Sequence, residues 1–167
     1  EEPKPVAPPP SVQAPVAVAP PVKAPEKLPP LRVLLVEDEP VSQLVTQSRL
    51  SELGHECTCA GDANEAIRLY QHQPFDAIIS SFLMPGMNGV DLCRKIREDA
   101  RGGYTYFILL TAVEKRDEAA RALEAGVDAF LTKPLDPNEL AVRLKVARGV
   151  QSRLNRVYSE LPDRRNS

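Results

Sequence analysis

The sequence predicts an α/β domain built on a doubly wound, five-stranded parallel sheet. From Leu31 onward, short runs rich in Val, Ile, Leu and Phe alternate with helix-like segments five times. The connections are short, so each helix must carry the chain back across the sheet. Right-handed crossovers of that kind leave every strand parallel to the one before it. The near-continuous apolar character of Phe75–Ser80 adds to this, because it suits a strand buried on both faces.

Arg32–Val36 is the first predicted strand, and it ends in Glu37, Asp38, Glu39 and Pro40. Proline fits the first turn of a helix, where its missing N–H costs nothing. The helix Val41–Leu53 carries Leu44, Val45, Ser48 and Leu50–Leu53 at helical spacing, and Gly54 stops it. Glu56–Ala60 is a second strand. Asp62 caps a helix running through Gln71, with Ala66, Ile67 and Tyr70 as its apolar stripe. Phe75–Ser80 leads into a Pro/Gly/Asn loop, Phe82–Gly89, and then a helix, Val90–Glu98. Tyr104–Leu110 is the fourth strand, and Glu114–Ala125 is a helix closed by Gly126. Val127–Leu131 is the fifth strand, followed by Lys133 and Pro134. Asp136 or Asn138 caps a last helix reaching about Glu160.

The remainder of the chain is of another kind. Residues 1–30 hold 11 of the 17 prolines, which forbid helix and central strand alike. A semi-stiff Pro/Ala linker is expected there, the sharper alternative being a proline-rich ligand for an aromatic groove. The chain starts at Glu1 and not Met, so a piece of a longer protein is expected. With 21 Lys+Arg against 23 Asp+Glu, bulk charge offers no hold on nucleic acid or an anionic membrane. No apolar run approaches the ~20 residues of a membrane span. Three cysteines without paired spacing do not make a disulfide framework, and a cytoplasmic location is expected. Cys57 and Cys59 point to one face of their strand. With His55 and His72 as the whole histidine complement, no metal site is expected there.

Ligands of such sheets sit beyond the carboxyl ends of the strands. That directs attention to Glu37, Asp38, Ser81, Thr111 and Lys133. The segments LLVEDEP, FDAIISSFLMPGMNG, ILLTA and FLTKPL around these residues, in this order and spacing, resemble the receiver domain of bacterial response regulators across about Leu31–Ala147. The resemblance implies a flavodoxin-like fold with strand order 2-1-3-4-5. It divides the chain into a linker (1–30), a receiver domain (31–148) and a C-terminal helix extension and tail (149–167). It also implies a two-component phosphorelay role without enzymatic activity. In the family, two acids after the first strand and an Asp after the third hold Mg²⁺, and that Asp takes a phosphoryl group from a histidine kinase or a small donor. Carried over, Glu37 and Asp38 are the acidic pair, Thr111 the phosphate-contacting hydroxyl, Phe130 the switch aromatic and Lys133 the cation.

The departure is at the acceptor. Counting back from Met84-Pro85-Gly86, the acceptor position is Ser81. Asp76 opens the same strand, five residues or roughly 16 Å away at the wrong end, and Asp91 lies beyond the loop. A serine hydroxyl needs an adjacent base to attack phosphorus, and a protonated lysine is none. The family's three carboxylates and one Lys sum to −2, whereas Glu37, Asp38 and Lys133 sum to −1, so Mg²⁺ is expected to bind weakly and not to be required. A pseudo-receiver that works through protein contacts is one expectation. The other is an ordinary Mg²⁺-dependent receiver whose acceptor Asp is substituted at Ser81, in the laboratory or otherwise. A flavodoxin-type cofactor protein is disfavoured, because VEDEP would repel phosphate.

Structural roles stand beside each functional one. Glu37 and Asp38 could be solvated charges capping the first helix, Lys133 a static partner of that acidic pair, Thr111 a plain strand-end hydroxyl and Phe130 core. Ala147, Val150, Leu154, Val157 and Leu161 repeat at 3-4-3-4 spacing, a short coiled-coil-like seam weakened by Gly149. A dimer or a helix signalling into an output domain is one reading of it, and a frayed amphipathic end is the other. A histidine kinase, an output domain or another signalling protein is the partner the resemblance implies, with neither nucleic acid nor membrane bound by this fragment.

Overall fold

The computed structural model describes residues 30–99, 103–112 and 118–160. Five parallel strands form one sheet in the order β2-β1-β3-β4-β5, where β1 is Arg32–Val36, β2 Glu56–Ala60, β3 Ala77–Ser81, β4 Tyr106–Ala112 and β5 Ala129–Lys133. Five helices connect and follow them: α1 Pro40–Glu52, α2 Ala63–His72, α3 Gly89–Glu98, α4 Ala119–Ala125 and α5 Pro137–Glu160. The expected linker lies outside the described residues apart from Pro30, as does the expected start of α4 at Glu114.

Period-two alternation sorts the strand residues into two cores. Leu34, Val36, Ile78, Phe107 and Leu109 face α2, α3 and α4, where Ala66, Leu92, Ile96 and Ala122 meet them. Val33, Leu35, Ile79, Ile108 and Leu131 face α1 and α5, against Leu50, Leu140, Leu144 and Ala147. All five residues of β3 are buried, which explains the apolar run Ala77–Ile79 and leaves Ser80 and Ser81 as buried hydroxyls at its end.

The caps follow the sequence closely. Pro40 sits in the first turn of α1, and the Asp62 side chain accepts the Glu65 N–H at 2.8 Å to start α2. Asn88 does the same for Asp91 and α3, and Asp136 accepts the Asn138 N–H at 2.9 Å ahead of α5. Gly54 and Gly126 follow α1 and α4 at φ 88° and 105°, a backbone region natural to glycine.

Two expectations need correction. β3, β4 and β5 each lie about two residues later than the apolar runs place them, because Phe75 and Val127 are buried lead-in residues ahead of the ladder. The apolar stripe expected of α1 is also buried only in part, at Leu50. Val41, Leu44 and Val45 are exposed, whereas Thr46 and Leu50 are the buried residues. Gln43 explains the difference: its amide donates to Glu37 O at 3.0 Å and Ala60 O at 3.4 Å, tying this polar face to the ends of β1 and β2.

Candidate functional site

The late placement of the strands brings the candidate residues to one edge. Glu37 directly follows β1, Ser81 ends β3, Thr111 is the penultimate residue of β4 and Lys133 ends β5. All belong to the carboxyl edge of the sheet, where parallel strands leave carbonyls and side chains without a further ladder partner.

Three of the predicted residues meet directly. Lys133 Nζ lies 3.2 Å from Glu37 Oε1 and donates to Ser81 Oγ at 2.9 Å, joining positions 96 and 52 residues apart. Glu37 is 1% exposed and Ser81 2%, so the carboxylate depends on protein partners for its solvation. Its second oxygen accepts the Glu39 N–H at 3.2 Å. Lys133 is 35% exposed and reaches in from the rim. Ser81 Oγ completes its bonding by donating to Leu83 O at 3.4 Å.

The other predicted residues stand apart. Asp38 is exposed. The helix-capping role considered for Glu37 and Asp38 belongs to Glu39, whose carboxylate accepts the Ser42 N–H at 2.6 Å and the Val41 N–H at 3.4 Å. Those bonds, the Ser42 one foremost, hold the Glu39 carboxyl below its ordinary range. Thr111 Oγ1 donates to Ala112 O at 2.9 Å. Phe130 packs against the α2/α3/α4 core, and together with Thr111, Phe82, Leu109 and the start of α4 it lines an apolar cavity of about 240 Å³.

The carboxylates set aside on sequence grounds are engaged elsewhere. Asp76 receives the backbone N–H of Arg32 at 2.8 Å and two guanidinium bonds at 3.0 and 3.1 Å. Burial opposes its ionisation, but the Arg32 bonds outweigh it and hold the Asp76 carboxyl low. Asp91 pairs with Arg94 at 2.7 Å.

Two residues around the site have no role assigned from the sequence alone. Gly89 opens α3 against the end of β3, where a Cβ would lie 2.4 Å from Ser81 O and 2.7 Å from Leu109 Cδ1. Arg97 locks α3 to the strands opposite the site. It donates to Gly126 O at 2.7 Å, Thr105 O at 2.6 Å and Asp128 Oδ2 at 2.8 Å, and its guanidinium stacks 4.6 Å from the Tyr104 ring centre. A hydrogen bond from Tyr104 to Asp128 closes the cluster.

As a cage for a divalent ion, the donor set is incomplete. Mg²⁺ takes hard oxygen ligands in octahedral geometry. Here both oxygens of Glu37 already have partners, and the strand-end position between the acidic pair and Lys133 holds a hydroxyl. Among the described residues, no three His, Cys, Asp or Glu side chains converge to hold a metal. Glu37 and Asp38 remain as the carboxylates that would hold such an ion, one fewer than the three the family uses.

Known proteins share this arrangement of strands. The profile of the response regulator receiver domain matches residues 33–145. The chain is 32% identical over 114 residues to the phosphate regulon transcriptional regulatory protein PhoB of Pseudomonas aeruginosa, covering 68% of this chain and 49% of that protein. It is 35% identical over 116 residues to the TorCAD operon transcriptional regulatory protein TorR of Escherichia coli O157:H7, covering 70% and 49%. The chain thus spans about half the length of these curated relatives. A receiver domain of a Pseudomonas aeruginosa sensor histidine kinase, solved with a magnesium ion coordinated in its active-site cleft, superposes with TM-score 0.66 at 33% identity over 72% of this chain and 98% of that one. Vibrio cholerae CheY4 superposes with TM-score 0.67 at 27% identity over 71% and 98%. With the receiver profile covering all of its sheet but Arg32 and 2-1-3-4-5 the order of its strands, the chain belongs to the response-regulator receiver domain family.

Proposed function

We propose that this receiver domain is acceptor-deficient, a pseudo-receiver that signals through protein–protein contacts and not through an aspartyl phosphate. One observation carries the reading. Ser81, on which the acceptor position falls when counted back from Met84-Pro85-Gly86, is a buried hydroxyl that receives a hydrogen bond from Lys133 and gives its own proton to Leu83 O. A hydroxyl becomes a phosphorus nucleophile only when a base removes that proton. Lys133 is a donor, and the Glu37 carboxylate is turned to Lys133 and to the Glu39 amide. The pocket therefore lacks an attacking oxyanion. With one carboxylate fewer, Mg²⁺ binds weakly and is not required.

A histidine kinase, an output domain or another signalling protein is the expected partner class, in the cytoplasm. No helix among the described residues is long and apolar enough to cross a membrane. Dimerisation through α5 would have little seam to use. Ala147 is fully buried and Val150 packs on the domain's own core, which leaves Leu154 and Val157 among the described residues.

The intact surroundings favour a second reading, in which an ordinary phospho-accepting receiver has had its Asp substituted at Ser81. Lys133 already reaches that position at 2.9 Å, and Glu37 stands beside it. Acetyl phosphate with Mg²⁺, followed by intact mass, tests the proposal. No gain of one phosphoryl group is expected for this chain. A stoichiometric gain that disappears in Ser81→Ala would make Ser81 the acceptor and end the pseudo-receiver reading. A gain in Ser81→Asp alone would support the second one.

A further inference from the structure

Cys57 and Cys59 occupy the edge strand β2, beside β1 and outside the Glu37–Ser81–Lys133 cluster. Being two apart, they share one face. Their Sγ atoms lie 4.0 Å apart and both residues are partly exposed. They rest on the apolar cluster that includes Leu31, Val33, Leu35 and Leu50, which offers no oxygen ligand from below. Val33 and Leu35 are their register partners on β1, so the strand that carries them is pinned.

The chemistry this pair can do is narrow. Tetrahedral zinc needs four ligands, and no third His, Cys, Asp or Glu joins the two sulfurs among the described residues. Hard ions want oxygen. A disulfide needs its sulfurs about 2.05 Å apart and its Cβ atoms about 3.8 Å apart, which two alternate residues of a straight, paired strand reach only by bending it. A single soft ion placed between the sulfurs needs neither more ligands nor a bent strand. Two metal–thiolate bonds of about 2.3 Å laid end to end span about 4.6 Å, which each side chain meets by moving about 0.3 Å.

We propose that Cys57 and Cys59 form a two-coordinate site for one thiophilic monovalent cation of the Cu(I) class. Thiolate sulfur selects such ions over harder competitors. Two S–H bonds break, two S–Cu bonds form, and two protons leave to solvent for each ion bound; no electron is transferred. The third thiol, Cys93, is buried with its Sγ 3.5 Å from Ala125 O on the opposite face of the sheet, and takes no part.

The full, reduced chain is titrated anaerobically with Cu(I) against the chromophoric chelator bicinchoninate. Uptake of one equivalent with release of two protons is expected. Cys57→Ser and Cys59→Ser should each lose a factor on the order of 10²–10⁴ in affinity, the advantage of a second ligand held at high effective concentration, and Cys93→Ala should lose none. As a check independent of any variant's folding, Ag(I) on the unmodified chain should protect Cys57 and Cys59 together from alkylation, mapped by peptide mass. No uptake, equal affinity in the single-serine variants, or protection of one of the two alone would overturn the proposal.

Discussion

Replacing Lys133 by methionine removes the positive partner of a carboxylate that has almost no access to water. Opposite unit charges 3.2 Å apart interact by about 5 kcal/mol at an effective dielectric constant near 20. Lys133 is 35% exposed, so solvent screens part of this. The net coupling should fall between the ~0–1 kcal/mol of surface pairs and the ~3–5 kcal/mol lost when a fully buried pair is broken, at about 2 kcal/mol. The test is a double-mutant cycle in urea with Lys133→Met, Glu37→Gln and both together. Lys133→Met should cost about 2–3 kcal/mol, because it strands the Glu37 charge. Adding Glu37→Gln should return most of that loss, since the neutral amide can stay buried without a counter-ion. A coupling under about 0.5 kcal/mol would refute the reasoning and make Lys133 a solvated charge that happens to lie near Glu37.

Three further outcomes follow from the geometry. Burial, with a contribution from Arg148, holds the His55 ring below its ordinary pKa while its Nδ1 accepts the Leu31 N–H at 3.0 Å. The folded value lying below the unfolded one, this stability is whole above about pH 6.5 and is lost as pH falls through that range; His55→Asn, which keeps an acceptor and removes the titration, should flatten the urea midpoint between about pH 5 and 7.5. Gly89→Ala should cost about 1–3 kcal/mol, because its methyl would meet Ser81 O and Leu109 Cδ1 inside contact distance, and a neutral urea midpoint would speak against that packing. Arg97→Ala should cost about 3 kcal/mol through lost bonds to Asp128 and to the carbonyls of Gly126 and Thr105, read as a lower denaturant midpoint with an unchanged slope.

Local chemistry made most of the fold legible in the sequence. Pro40, Asp62 and Asp136 each start a helix where the chain says they should, and apolar runs separated by short connections leave a parallel sheet as the economical solution. Strand ends were less readable. Hydropathy reports burial and not ladder bonding, so Phe75 and Val127 read as strand while the polar residues Ser81, Thr111 and Lys133 did not, although all three pair in the sheet. On α1, Leu50 of the expected stripe is buried, but Gln43 and Thr46 turn inward to serve backbone carbonyls and packing, which leaves Leu44 and Val45 outward. At the site, the convergence of Glu37, Ser81 and Lys133 followed from the motifs. Gly89 and Arg97 did not, because a glycine at a helix start and one arginine among many carry their meaning only in what they touch.

Beryllofluoride mimics a phosphoryl group on a carboxylate, so it asks the central question without relying on turnover. With Mg²⁺ present, the amide signals of Thr111, Phe130 and Lys133 should show no saturable shift in this chain. A saturable shift at those residues, persisting in Ser81→Ala, would mean that the cavity holds a competent carboxylate after all.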